Sequence, residues 1–195
     1  MKTKLYIEVL FLIFLGMITS LSLPPLNYFI VNFFTFSLFF LFLIKRTQQK
    51  RGLIFFLYGW SFGFGYFITN LYWISISLTF DQDFKFLMPL TIFLIPSFLA
   101  VFYGLASFSF KIFKPRAKIS TFLTFSLIFG VTEFLRGSIL TGFPWNLIVY
   151  SFSNLLEFIS ITSILGTYAL NLFCISLFTA PAIFLTFFNM KKDLS

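Results

Sequence analysis

Glu133 and Arg136, two charges near the end of a long apolar run, are the side chains of this chain with the most chemical potential. A charge near the middle of a membrane helix costs about 2.5–3.5 kcal/mol on insertion scales, so two of them three residues apart, on one helix face, are expected to answer each other. Two readings stand: a salt-bridged structural pair, or a pair that handles a substrate directly. Behind them come Gly137 and Gly142, which let the backbone turn, then Phe143, Pro144, which stiffens it, and Trp145, whose amphipathic ring suits a headgroup layer. The single thiol, Cys174, lies in the apolar run from Leu172 to Leu177, where burial keeps a thiol protonated and inert. It reads as a packing residue. With no histidine in the chain, the commonest general base and metal ligand is missing, and neither a metal nor a cofactor is expected.

The elements that must position these residues are membrane helices. Hydrophobic residues make up 59% of the chain, 35 residues are Phe and only 10% are charged, far more apolar surface than a soluble domain of this length could bury. A mean hydropathy of +0.97 excludes nucleic acid as a partner despite the net charge of +8. Apolar spans are predicted near residues 5–22, 26–44, 53–78, 87–110, 119–136 and 158–188, each long enough to cross a bilayer as helix. The fold class is therefore an all-α integral membrane protein of about six helices, one transmembrane domain over residues 1–195 with no soluble domain.

Charge sets the orientation. Lys2 and Lys4 precede the first span, Lys45, Arg46, Lys50 and Arg51 follow the second, Lys111, Lys114, Arg116 and Lys118 follow the fourth, and Lys191 and Lys192 follow the sixth. Only Lys85 and Arg136 fall on the other side, together with Asp81, Asp83 and Glu133. Positive residues stay inside, so both termini are expected in the cytoplasm, with the Pro24-Pro25 turn, the Asp81–Lys85 loop and the Gly137–Asn146 loop facing outward. The basic start followed by an apolar stretch also fits a signal peptide, but the long run, Glu8 within it and the short turn to a second span favour a retained first helix.

Within the third span, Gly59 and Gly63 have the small-xxx-small spacing of tight helix packing, which competes with a pocket or helix break as the reason for the glycines. Its outer half carries Asn70-Leu71-Tyr72-Trp73, expected at the outward interface, where Tyr72 and Trp73 suit an aromatic belt. Residues 147–157 are mixed in polarity and are expected in the interface as an amphipathic or re-entrant segment, with Glu157 at the water. Pro181 should kink the last span or mark its inner end.

The run Glu133-Phe134-Leu135-Arg136-Gly137, followed by Thr141-Gly142-Phe143-Pro144-Trp145, resembles the signature of the bacterial apolipoprotein N-acyltransferases, membrane enzymes that add the last acyl chain to lipoproteins. The glycine-rich third span ending in Tyr72 and Trp73 is similar to a second feature of that family, in the same order. Pro24-Pro25 matches an early proline turn more loosely. Tyr150-Ser151 matches a Gly-Tyr-Ser, except that Val149 replaces the glycine and Phe152 stands where a polar residue is common. The resemblance implies an inner-membrane location, a phospholipid acyl donor, a lipoprotein acceptor, and a ping-pong transfer by a Glu-Lys-Cys triad on a nitrilase-like domain outside the membrane. No residue of this chain matches a triad position, so no catalytic residue is carried over.

On that resemblance, Glu133, Arg136, Phe143, Pro144, Trp145 and Tyr150, with Tyr72 and Trp73, are candidates for a path by which acyl chains leave the bilayer. A passive interfacial anchor is the alternative for the aromatics. Six crossings from a cytoplasmic amino end return the chain to the cytoplasm, so an outward catalytic domain would need one further helix. The expectation is the membrane half of the enzyme, as a fragment, a split gene product or a decayed gene, with a separate chain as a possible source of the catalytic domain. A non-catalytic scaffold and, less well supported, a small transporter are the competing functions; a transporter should show inverted repeats and mid-membrane ionisable or broken segments.

Overall fold

Helices in a bilayer gain nothing by hiding hydrocarbon from hydrocarbon, so they associate where small residues let backbones approach and where shapes interlock. The computed structural model describes residues 2–47, 51–79, 82–139 and 142–192, with side chains described for 4–47, 51–76, 85–139 and 142–185. Lys50, Asp81, Thr141 and Ser195 lie outside the described residues, as do the side chains of Lys2, Asp83, Lys191 and Lys192.

Among the described residues the chain is helical throughout: α1 (Lys2–Ser20), α2 (Ile30–Arg46), α3 (Gly52–Leu71), α4 (Met88–Phe113), α5 (Lys118–Ser138), α6 (Leu156–Ile159), α7 (Thr162–Leu165) and α8 (Thr167–Lys192). Three 3₁₀ segments, Tyr72–Thr79, Gln82–Leu87 and Ile148–Phe152, lie between them. The protein is an all-α membrane protein. Among the described residues, four stretches, Gly52–Ile76, Lys85–Phe113, Lys118–Ser138 and Thr167–Leu185, are by length and composition long and apolar enough to cross a membrane.

The six long helices close into a ring, with α3 packed between α1 and α4, α5 joining α4 to α8, and α2 joining α8 back to α1. Glycine makes the α3 contacts possible. A Cβ on Gly59 would strike the Tyr103 carbonyl of α4, and one on Gly65 would strike the Ile13 carbonyl of α1. The close-packing reading of the glycine cluster is the one the structure supports, and it places α1 and α4 on different faces of α3.

Aromatic rings fill the ring's interior. Phe39 stacks on Phe62 at 4.2 Å, Phe129 stands edge-on to Phe39 and to Tyr103 at 5.7 Å, and Phe178 of α8 stacks on Phe152 at 5.5 Å. Such pairs contribute roughly 0.5–1.5 kcal/mol each beyond burial. They also make the bundle's centre stiff, a rigid base for whatever its ends carry.

Three boundaries differ from the predicted ones. The third span is α-helical only to Leu71 and then tightens into the 3₁₀ segment Tyr72–Thr79, where the Ser75 hydroxyl donates to the Tyr72 carbonyl at 2.6 Å. The last long helix starts at Thr167, because Gly166 at φ +80° breaks the run and leaves α6 and α7 as short turns before it. Residues 147–152, part of the segment expected to be amphipathic or re-entrant, are packed into the protein. Leu147, Ile148, Val149, Ser151 and Phe152 are buried, and the Val149 amide donates to the Asn171 side chain of α8 at 3.0 Å. A buried partner for that amide lets the segment enter the bundle, while Glu157 beyond it is exposed as expected. Pro181 lies inside α8.

Candidate functional site

Arg136 organises one end of the bundle. Its guanidinium and the Glu133 carboxylate pair at 2.5 Å across one turn of α5, and both side chains are buried, at 1% and 2% exposure. The expected answer of one charge to the other is present, and Arg136 does more with its remaining donors. Nη1 donates to the carbonyls of Phe143 at 2.8 Å and Trp145 at 2.9 Å, while the guanidinium carbon lies 5.1 Å from the centre of the Phe67 ring. The Arg136 backbone carbonyl accepts from the Phe143 amide at 3.0 Å. From α3, the Tyr66 hydroxyl donates to the Asn146 carbonyl at 2.9 Å.

Three carbonyls of one short turn are thus drawn inward by two buried side chains, which leaves the side chains of Pro144 and Trp145 turned out. Gly142 at φ +70° and Asn146 at φ +58° supply the left-handed positions that let the chain reverse so tightly. Gly137, expected to help the turn, instead lies within α5, where a Cβ would strike the Tyr168 hydroxyl. It serves packing.

Beside the turn is a groove of about 860 Å³, within the range of small-molecule and cofactor sites. Pro144, Trp145 and Tyr150 line one wall, Tyr72 and Trp73 another, and the Pro24-Pro25 turn a third. Trp73 and Trp145 meet edge to face at 6.2 Å, each about half exposed. The structure therefore brings five of the eight candidate residues onto one surface. Among the described residues, no carboxylate, amine or guanidinium lines it. Tyr150 is half-buried, and burial pushes its hydroxyl above the ordinary tyrosine range, so it stays neutral.

Phe143 faces elsewhere. With Arg136 it borders a second, smaller cleft of about 480 Å³, otherwise lined by apolar residues such as Leu94, Phe98 and Ile139. Glu133 lines neither opening, and acts through Arg136. Sequence reasoning missed Asn146 and Ser153 in the groove and Tyr66 beneath it, and placed Asn70 at the outward interface without a part in the site. Ser153 donates to the Asn27 side chain at 2.9 Å and so ties the 3₁₀ segment to the turn after α1, a contact between residues far apart in the chain. Cys174 is fully buried in the core, and no cluster able to hold a metal occurs among the described residues.

The family model described as "Apolipoprotein N-acyltransferase N-terminal domain" matches residues 15–180. The chain belongs to the apolipoprotein N-acyltransferase family. It is 34% identical over 175 residues to an apolipoprotein N-acyltransferase of Allorhizobium ampelinum, covering 86% of this chain and 33% of that protein. Against the Rhizobium etli protein of the same description the identity is 35% over 177 residues, with 87% and 33% covered. The Rhodopseudomonas palustris protein is 34% identical over 172 residues, with 86% and 32% covered. The chain spans about a third of the length of the curated relatives it matches, and the match falls on the N-terminal membrane domain.

Proposed function

We propose that this chain is the lipid-docking membrane portion of an apolipoprotein N-acyltransferase, in which the groove beside Trp145 takes acyl chains from the bilayer and presents a phospholipid donor, then a lipoprotein acceptor, to reacting groups held outside residues 1–195. The observation that carries this reading is the groove itself: apolar and aromatic walls, a neutral lining and an edge of exposed Trp and Tyr side chains. Acyl transfer needs a nucleophile and donors for a tetrahedral intermediate. Among the described residues the one thiol is buried in the core and the Glu133 carboxylate is held by Arg136, so neither can reach a substrate. The groove's part is capture and positioning.

The whole chain forms one transmembrane domain in this reading. It sits in the inner membrane with six crossings, its basic end and both termini in the cytoplasm, and the groove at the outer leaflet, where Trp and Tyr favour the headgroup layer. The test is co-expression with the remaining two-thirds of a relative, followed by mass spectrometry of a lipoprotein's terminal cysteine. Acylation that needs both pieces, and that falls at least several-fold with Trp145→Ala, supports the proposal. Acylation unchanged by that substitution removes Trp145 from the site, and no acylation by the pair favours the scaffold reading.

A further inference from the structure

The end of the bundle opposite the groove carries a surface that lipid capture beside Trp145 does not use. Arg51 precedes α3, and Lys111, Lys114 and Arg116 occupy the end of α4 and the connection to α5. They come from separate parts of the chain, yet α3 packs along α4, Gly52 lies against Phe108, and the Lys111 ammonium sits 5.3 Å from the centre of the Phe55 ring. The Thr121 hydroxyl donates to the Pro115 carbonyl at 2.9 Å, so Arg116 follows a residue fastened to α5.

Among the described residues, negative charge does not answer these cations. The described carboxylate at this end is Glu8, on the α1 side of α3; it is buried and taken by Arg46 at 2.9 Å and by the Tyr58 hydroxyl. Arg51, Lys114 and Arg116 have no carboxylate partner among the described residues. Directly beside them, Leu53, Ile112 and Phe113 are 78%, 57% and 68% exposed. A soluble polyanion would use the charges and leave those side chains bare, whereas a neutral lipid would cover them and ignore the charges. A ligand that joins phosphate to hydrocarbon uses both.

We infer that Arg51, Lys111, Lys114 and Arg116 form a seat for the headgroup phosphate of an anionic phospholipid, whose chains run along Leu53, Ile112 and Phe113. Arginine forks match phosphate oxygens in pairs, the Phe55 ring holds the Lys111 ammonium in place, and the long stems lie along the apolar surface beneath. The geometry adds a fixed position to the general attraction of basic segments for anionic membranes.

The experiment uses the full chain in nanodiscs of phosphatidylcholine mixed with phosphatidylglycerol, extracted gently and read by native mass spectrometry for retained lipid. The expected result is several-fold enrichment of phosphatidylglycerol, lost in the variant Arg51→Gln, Lys114→Gln, Arg116→Gln and reduced in Arg116→Gln alone. The matched variant Lys4→Gln, Lys45→Gln, whose exposed side chains lie on the α1 side, should keep it. Thermal melting checks that each variant is folded, and the Arg116→Gln single variant, at an exposed position, serves if the triple one is not. Equal loss in both sets would show diffuse attraction and overturn the seat. So would no enrichment, or full release of the lipid by inorganic phosphate at equal concentration.

Discussion

The two ends of this bundle solve the problem of charge in a membrane protein in opposite ways. Behind Trp145 one charge pair is buried and consumed: Arg136 gives its donors to Glu133 and to the Phe143 and Trp145 carbonyls, and the described side chains of the groove in front of it are neutral, many of them aromatic. At the other end the ion pair of Glu8 with Arg46 is drawn in between helices, while Lys4, Lys45, Arg51 and Arg116 stay exposed. The contrast teaches that a buried charge pair can shape a surface that it does not itself reach. Arg136 shapes the groove by holding the backbone from behind.

The sharpest way to break the comparison is to empty the buried pair. Arg136→Leu should leave Glu133 buried without its cation and two carbonyls without their donor, at a cost of about 3–5 kcal/mol, read as loss of folded protein by thermal melting in detergent. Glu133→Gln keeps a hydrogen-bond acceptor and should cost less. A melting temperature unmoved by Arg136→Leu would show that the pair does not organise this end. Next in size is Gly65→Val, which forces a branched side chain against the Ile13 carbonyl and should destabilise the α1–α3 contact by about 1–3 kcal/mol or more. Tyr66→Phe removes one donor to the Asn146 carbonyl and should cost about 1 kcal/mol, with the groove loosened but present.

Much of this was legible in residues 133–145, because charges and a Gly-Phe-Pro-Trp run inside apolar sequence have few uses. The all-α membrane fold, the Glu133–Arg136 pair and the packing role of Gly59 and Gly63 all follow from spacing and polarity. The positions of Phe143 and of residues 147–152 do not. Which way Phe143 faces depends on carbonyls pulled inward by Arg136 and Tyr66, and Tyr66 lies far away in the chain. Burial of Val149 depends on Asn171 receiving its amide, a partner that no local pattern announces. The link between Glu8, Arg46 and Tyr58 was hidden for the same reason: each residue lies on a different helix.

Smaller effects sharpen the contrast between the ends. With no carboxylate, amine or guanidinium among the described residues of its lining, the groove should hold lipid equally between about pH 5 and 9 and in high salt. Burial raises Tyr150, so its contribution to stability is fully present below the ordinary tyrosine value of about 10 and is lost only as pH rises beyond that. Lipid retention at the basic end should instead weaken as salt screens the exposed cations. Retention measured at two salt concentrations separates the ends, and equal salt dependence would erase the distinction.

Photolabelling with a zwitterionic phospholipid that carries a diazirine near its chain terminus tests the groove most directly, with the full chain in nanodiscs and labelled peptides located by mass spectrometry. The account predicts label concentrated on residues 69–73 and 144–153 and reduced several-fold there by Trp145→Ala. Label spread evenly over the outer faces of α4 and α5, and indifferent to that substitution, would contradict it.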